Sequence, residues 1–94
     1  MRDKPALFPL GQAVATPGAL RCCEANGVEP SSFLYRHQTG DWGVLPADDI
    51  RANEDALRDG ARLLSSYPIG PDAKVWVITE ADRSVTTLLL PSEY

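Results

Sequence analysis

The run 74–91, Lys-Val-Trp-Val-Ile-Thr-Glu-Ala-Asp-Arg-Ser-Val-Thr-Thr-Leu-Leu-Leu-Pro, constrains the fold more than any other stretch of the chain. Residues 75–79 and 85–90 are β-branched, aromatic or aliphatic and of strand length, with a polar loop between them, which is the pattern of a β-hairpin. Neither strand alternates cleanly. Val75 and Val77 face one way while Trp76 and Ile78 face the other, so both faces ask for cover. The hairpin is therefore expected at the centre of the fold, with the preceding chain supplying the covering elements.

With 94 residues the chain has room for one modest core, and 1–94 reads as a single α+β domain with 1–10 as an extended arm. Apolar content of 44% and charged content of 23% are those of an ordinary globular chain. The net charge of −4 speaks against direct nucleic-acid binding and against attraction to an anionic membrane, and makes a basic partner the natural one. The few apolar residues before Pro9 and Gly11 are too short for a signal sequence or a membrane span, which leads to the expectation of a cytoplasmic protein. Cys22 and Cys23 are adjacent, where a mutual bridge is strained, and read as reduced thiols in or near a helix. With one histidine and two cysteines, a thiolate and imidazole zinc site is short of ligands. No cofactor and no metal is expected.

Read in order, the chain opens with Pro5 and Pro9 around Leu7 and Phe8, suited to an arm lying across the domain. Residues 12–15 are a candidate short strand. Thr16-Pro17 marks a helix start, with threonine as N-cap and proline in the first turn, and Asn26-Gly27 marks its end, Leu20 and Cys23 facing inward. A second helix is predicted from the Pro30-Ser31-Ser32 region, capped by Ser31 or Ser32 and stopped at Thr39-Gly40. In Gly40-Asp41-Trp42-Gly43 the glycines permit a tight loop that turns Trp42 into the core. The third helix starts near Pro46, carries acids in its first turn and Arg58 in its last, and closes at Gly60. Ile50, Asn53, Ala56 and Leu57 form its inward stripe, and Asn53 there requires a backbone partner, expected in the loop 40–43. Residues 61–67 are a candidate first strand of a meander, with a turn at 68–72. The expected architecture is three short helices on one face of a three-stranded antiparallel meander, with one extra short strand as an option, and the arm or that opening strand over the other face.

Three constellations are candidates for function. Glu80, Asp82 and Arg83 at the hairpin tip, with His37 and Asp41, would make a ligand site or small active centre if they met in a pocket. A solvated turn uses the same residue types, with a salt bridge from Asp82 or Glu80 to Arg83. His37 lacks a nucleophile in any recognisable spacing, and a structural histidine bonded to helix carbonyls explains it equally. The acidic run containing Asp48, Asp49, Asp55 and Asp59 can imitate a nucleic-acid backbone and occupy a basic groove, or it is the wet side of a helix. A calcium loop is excluded by spacing.

The motifs His37-Gln-Thr-Gly-Asp-Trp-Gly43, Arg62-Leu-Leu-Ser-Ser-Tyr67 and Trp76-Val-Ile-Thr-Glu-Ala-Asp-Arg-Ser-Val-Thr-Thr-Leu-Leu-Leu-Pro-Ser-Glu-Tyr94 resemble a family of small uncharacterised bacterial proteins carried on plasmids, phages and integrated elements. The resemblance spans nearly the whole chain from about Leu7. It implies a mobile-element setting and no catalytic residue. Taken together, these features lead to the expectation of a non-enzymatic acidic interaction protein, such as an anti-CRISPR-like inhibitor of a host nucleic-acid-targeting defence complex. A basic or nucleic-acid-binding host protein is then the partner, docked on Asp48, Asp49, Asp55 and Asp59. The alternative is a small-ligand binder or small enzyme using His37, Asp41, Glu80, Asp82 and Arg83, and either a monomer or a homodimer joined through the sheet edge or Trp76 fits the composition.

Overall fold

The computed structural model describes residues 4–94. The chain is α+β. Its elements are β1 (Gln12–Ala15), α1 (Pro17–Ala25), α2 (Pro30–Gln38), α3 (Ala47–Asp59), β2 (Leu63–Ile69), β3 (Ala73–Thr79), β4 (Val85–Leu89) and a closing 3-10 turn, Pro91–Glu93. The strands form one mixed sheet in the order β1-β4-β3-β2. The predicted meander is β2-β3-β4, all antiparallel, and β1 joins its far edge parallel to β4 with Gln12 opposite Val85.

One face of the sheet is built from Leu63, Ser65, Tyr67, Val75, Val77, Thr79, Thr86 and Leu88, all buried. α1 and α2 lie on this face, and α3 lies along its β2 edge. Ala19 and Cys23 of α1 and Phe33 of α2 pack on Tyr67, Val75, Val77 and Leu88, with Phe33 and Tyr67 stacked at 5.2 Å. Beside them Phe8, Trp42, Ala56 and Leu63 form a second cluster under α3. Thr16 caps α1 as its sequence position predicts, its hydroxyl accepting from the Ala19 N–H. The same hydroxyl donates to Glu93, which also accepts from the Leu90 N–H, so the last turn of the chain is tied to the first helix.

Several expectations are corrected. Residues 4–10 of the arm do not cross the second face of the sheet, and residues 1–3 of the expected arm lie outside the described residues. Phe8 instead lies on the helical side, edge-on to His37 at 5.3 Å and stacked on Trp42 at 6.4 Å. The opening strand extends the sheet rather than covering it, because hydrogen bonding along β4 satisfies its backbone in a way that lying across side chains would not. The second face is left with the C-terminal turn and Tyr94 near Trp76. Leu20 points outward, 47% exposed, whereas Cys23 is buried. Ile50 also stands at the surface, leaving Asn53 and Ala56 as the buried residues of α3. Neither Ser31 nor Ser32 caps α2, which begins at Pro30 with Glu29 in the cap position. β2 begins at Leu63 rather than residue 61 and continues through Pro68.

Proline is tolerated at position 68 because it faces the outer edge of the sheet, where no strand needs its N–H. The rest of that edge is closed by other means. Asn53 is bonded not to the loop 40–43 but to β2: its carboxamide accepts from the Leu64 N–H at 3.1 Å and donates to the Leu64 carbonyl at 2.7 Å. Two residues on, Ser66 N–H donates to Trp42 O and Ser66 O accepts from Val44 N–H. Gly43 alone permits this approach, since its φ is 78° and a Cβ there would run into the Ser66 carbonyl. Thus the side chain of one helix residue and a four-residue loop replace a neighbouring strand.

Asn53→Ala should therefore destabilise the protein by about 2 kcal/mol, because it strands two backbone groups at once. A urea midpoint unchanged from the parent would show that the Asn53 carboxamide contributes nothing to closing the edge.

Candidate functional site

The five residues of the tip and loop do not meet in a pocket. His37 is fully buried between the helices and the sheet. Its Nδ1 lies 2.6 Å from Ser65 Oγ and its Nε2 lies 2.9 Å from Thr79 Oγ1. Thr79 Oγ1 is 2.7 Å from Thr86 Oγ1, and Thr86 donates to the Leu10 carbonyl at 2.7 Å. Because Thr86 commits its proton to Leu10, it must accept from Thr79. Thr79 in turn must accept from His37, which makes Nε2 the protonated nitrogen and leaves Nδ1 to accept from Ser65. Four side chains and one carbonyl form a relay in which every proton has one place. The histidine partners are strand hydroxyls, not the helix carbonyls expected from its position.

Burial, and secondarily the positive charge of Arg83, lower the His37 pKa to about 4. The imidazole is neutral in the folded protein. Ser65 and His37 are both without solvent exposure, so no substrate reaches this pair.

Arg83 has φ 62°, a left-handed conformation in a residue with a full side chain. Its guanidinium fills a nest of carbonyls: Nη1 donates to Ala61, Glu80 and Ala81, and Nη2 donates to Ala56 at 3.0 Å near the C-terminus of α3. It also lies 5.7 Å from the Phe8 ring centroid. The expected salt bridge from Asp82 or Glu80 to Arg83 is replaced by these contacts, because a fork of five donors is better used on several carbonyls than on one solvated carboxylate. Glu80 faces Arg62 instead, at 3.4 Å. Asp82 turns back on its own loop and accepts from the Ser84 N–H and hydroxyl, which hold its carboxyl below the usual range. Asp41 pairs with Arg36 at 2.7 Å and accepts from the Gly43 N–H, and the Arg36 bond is the main cause of its lowered pKa. None of the surface grooves beside Tyr94, Lys74, Val28 or Pro91 is lined by any of the five.

The acidic residues of α3 are placed differently. Asp48, Asp49, Asp55 and Asp59 are all exposed. At about 100° per residue, positions 48, 55 and 59 fall within about 40° of one another and run over roughly 16 Å of helix. Asp49 is turned about 100° from Asp48 and stands at the helix start on the side of Ala56. Asp48 and Asp55 make only local pairs, with Arg51 at 3.6 Å and Arg58 at 2.6 Å. Such exposed pairs are worth little and exchange readily. Asp49 and Asp59 have no side-chain partner among the described residues. Glu54, the fifth acid, is committed to the fold by accepting from Trp42 Nε1 at 2.9 Å.

The relay was not visible as a unit in the sequence. Its signal was the presence of Ser65, Thr79 and Thr86 at inward positions of strands otherwise filled by apolar residues, which calls for a shared buried partner. No group of three or more His, Cys, Asp and Glu suited to holding a metal occurs among the described residues. No helix among them is long and apolar enough to cross a membrane. The chain matches no family model, no curated protein and no solved structure.

The buried neutral imidazole makes stability depend on pH. Above the unfolded value near 6.5 both states leave His37 neutral, and its full contribution is present. Between pH 6.5 and about 4 the unfolded chain takes up a proton that the folded one refuses, so stability falls as pH falls, by about 3 kcal/mol in all. Urea titrations across this window check the slope. A folded His37→Gln variant should lose most of it, whereas the same slope in that variant would assign the effect to other groups.

Proposed function

We propose that this chain is a non-enzymatic interaction protein acting in the cytoplasm, which presents the outer flank of α3 to a basic groove of a nucleic-acid-binding partner. The observation that carries this reading is the contrast between two sets of polar groups. Those of the tip, the loop and the core are held by the fold, while Asp48, Asp55 and Asp59 form an exposed stripe with Asp49 beside its start. Carboxylates spread along one side of a rigid helix can meet a cationic surface without disturbing the core. The family likeness of the sequence motifs supplies a setting of mobile elements. In that setting the partner is a host complex that targets nucleic acid, and the protein acts as an anti-CRISPR-like inhibitor by occupying the groove meant for the nucleic-acid backbone. The alternative site of His37, Asp41, Glu80, Asp82 and Arg83 has no cavity in its favour.

Reversing the stripe with Asp48→Lys, Asp55→Lys and Asp59→Lys should leave the melting temperature near that of the parent, because all three side chains are exposed. It should reduce capture of a basic, nucleic-acid-binding protein from host lysate by at least about tenfold, with the parent interaction weakening as salt is raised. Capture of no such protein by the parent, or equal capture by the reversed variant, would overturn the proposal.

A further inference from the structure

The second face of the sheet is the surface for which the fold provides least cover. Its rows are Val14, Thr87, Ile78 and Leu64 across all four strands, then Leu89, Trp76 and Ser66. Ile78, Leu89 and Ser66 at the middle of these rows are already buried, while Trp76, Leu64 and Thr87 are half-buried and Val14 is 40% exposed. Tyr94 stands edge-on to Trp76 at 5.8 Å, yet is itself 71% exposed. Arg62 donates to the Tyr94 hydroxyl at 3.2 Å. Together with Leu63, Leu64 and Ile78 these residues line an apolar groove of about 270 Å³. A half-buried tryptophan beside an exposed tyrosine, with an arginine at the rim, is the composition of an interface centre more than of a solvated surface.

The order of side chains along β3 points to the occupant. On this face the strand and its first following residue read Lys74, Trp76, Ile78, Glu80: a cation, an aromatic, an aliphatic and an anion. Turned end for end, this row is its own complement. Lys74 of one copy then lies over Glu80 of another, and Trp76 over Ile78, each contact made twice. Lys74 has no charged partner among the described residues, and Glu80 has only the exposed 3.4 Å pair with Arg62. A parallel arrangement would oppose Lys74 to Lys74.

We propose that a second copy of this chain covers the open face, with the two β3 strands running in opposite directions across a two-fold axis and the sheets packed about 10 Å apart. The helices of each copy lie on the outer side, so both α3 stripes remain free. The β2 edge is not an equivalent route, since Asn53, the loop at Gly43 and Pro68 close it.

The test is the solution mass of the full chain by light scattering or sedimentation, from low to high micromolar concentration, with melting curves to confirm folding. The parent should approach twice the chain mass as concentration rises. Lys74→Glu, at an exposed position, should weaken the dimer about tenfold, since two symmetry-related attractions become repulsions. Glu80→Lys should act likewise, and the double variant Lys74→Glu/Glu80→Lys should recover parental dimerisation. Trp76→Ala should shift the protein to monomer. A monomer at every concentration, which would hand the face to a different protein, overturns the proposal. So does a dimer indifferent to Trp76, or a folded double variant that fails to recover. None of these readouts depends on the α3 partner, so this proposal and the functional one fail separately.

Discussion

The buried relay from Ser65 through His37, Thr79 and Thr86 to the Leu10 carbonyl joins parts of the chain that nothing else joins so directly. It draws on α2, on three strands and on the arm. Each member is satisfied only if all the others are in register, because a single shifted strand would leave a hydroxyl or a ring nitrogen without a partner in an apolar interior. Apolar packing alone tolerates sliding, whereas this line of protons does not. The aromatic walls of Phe8 and Trp42, both edge-on to the imidazole, exclude the water that would otherwise replace a missing partner. In this small core the relay fixes which arrangement of helices on sheet is adopted, and the hydrophobic surface supplies most of the drive toward some compact arrangement.

The same economy is visible at the periphery. Arg83 occupies an unfavourable backbone region, and four hydrogen bonds to the carbonyls of Ala56, Ala61, Glu80 and Ala81 hold it there. It thereby locks the hairpin tip onto the end of α3. Asn53, one turn earlier on that helix, locks it onto β2. The third helix is thus attached to the sheet by side chains that copy backbone hydrogen bonding, with Ala56 and the partly buried Leu57 as its apolar contacts. A helix held this way needs only a narrow inward stripe, which leaves most of its circumference free to carry charge.

Much of this could be read from the residues, and the limits of that reading have a common cause. The hairpin, the Thr16 cap, the stop at Gly60 and the inward turn of Trp42 are local: each follows from the preferences of a few consecutive residues. That Asn53 needed a backbone partner was equally legible. Which backbone it found was not, since that depends on α3 lying along the outer edge of β2. The parallel pairing of β1 with β4 escaped for the same reason, because four residues with little pattern of their own are placed by a strand at the other end of the chain. The tip residues misled in a more instructive way. Glu80, Asp82 and Arg83 have the composition of a site, and composition cannot distinguish a guanidinium that waits for a ligand from one already filled by carbonyls.

That distinction also bears on where partners can act. A polar group bound up in the fold can recognise a ligand only by giving up an internal partner, so its discrimination is offset by the cost of breaking what holds it. Asp41, Asp82, Arg83 and His37 are all in this position. The carboxylates of Asp49 and Asp59 break nothing when they bind, and Asp48 and Asp55 give up only exposed pairs to neighbours on their own helix. The second sheet face has the complementary property: the parts of Trp76, Leu64, Val14 and Tyr94 still exposed there gain from leaving water whatever covers them. The α3 carboxylates and the half-covered second face of the sheet thus differ in kind, one able to act through charge and the other through apolar contact, and neither has to break an internal hydrogen bond of the fold to do so.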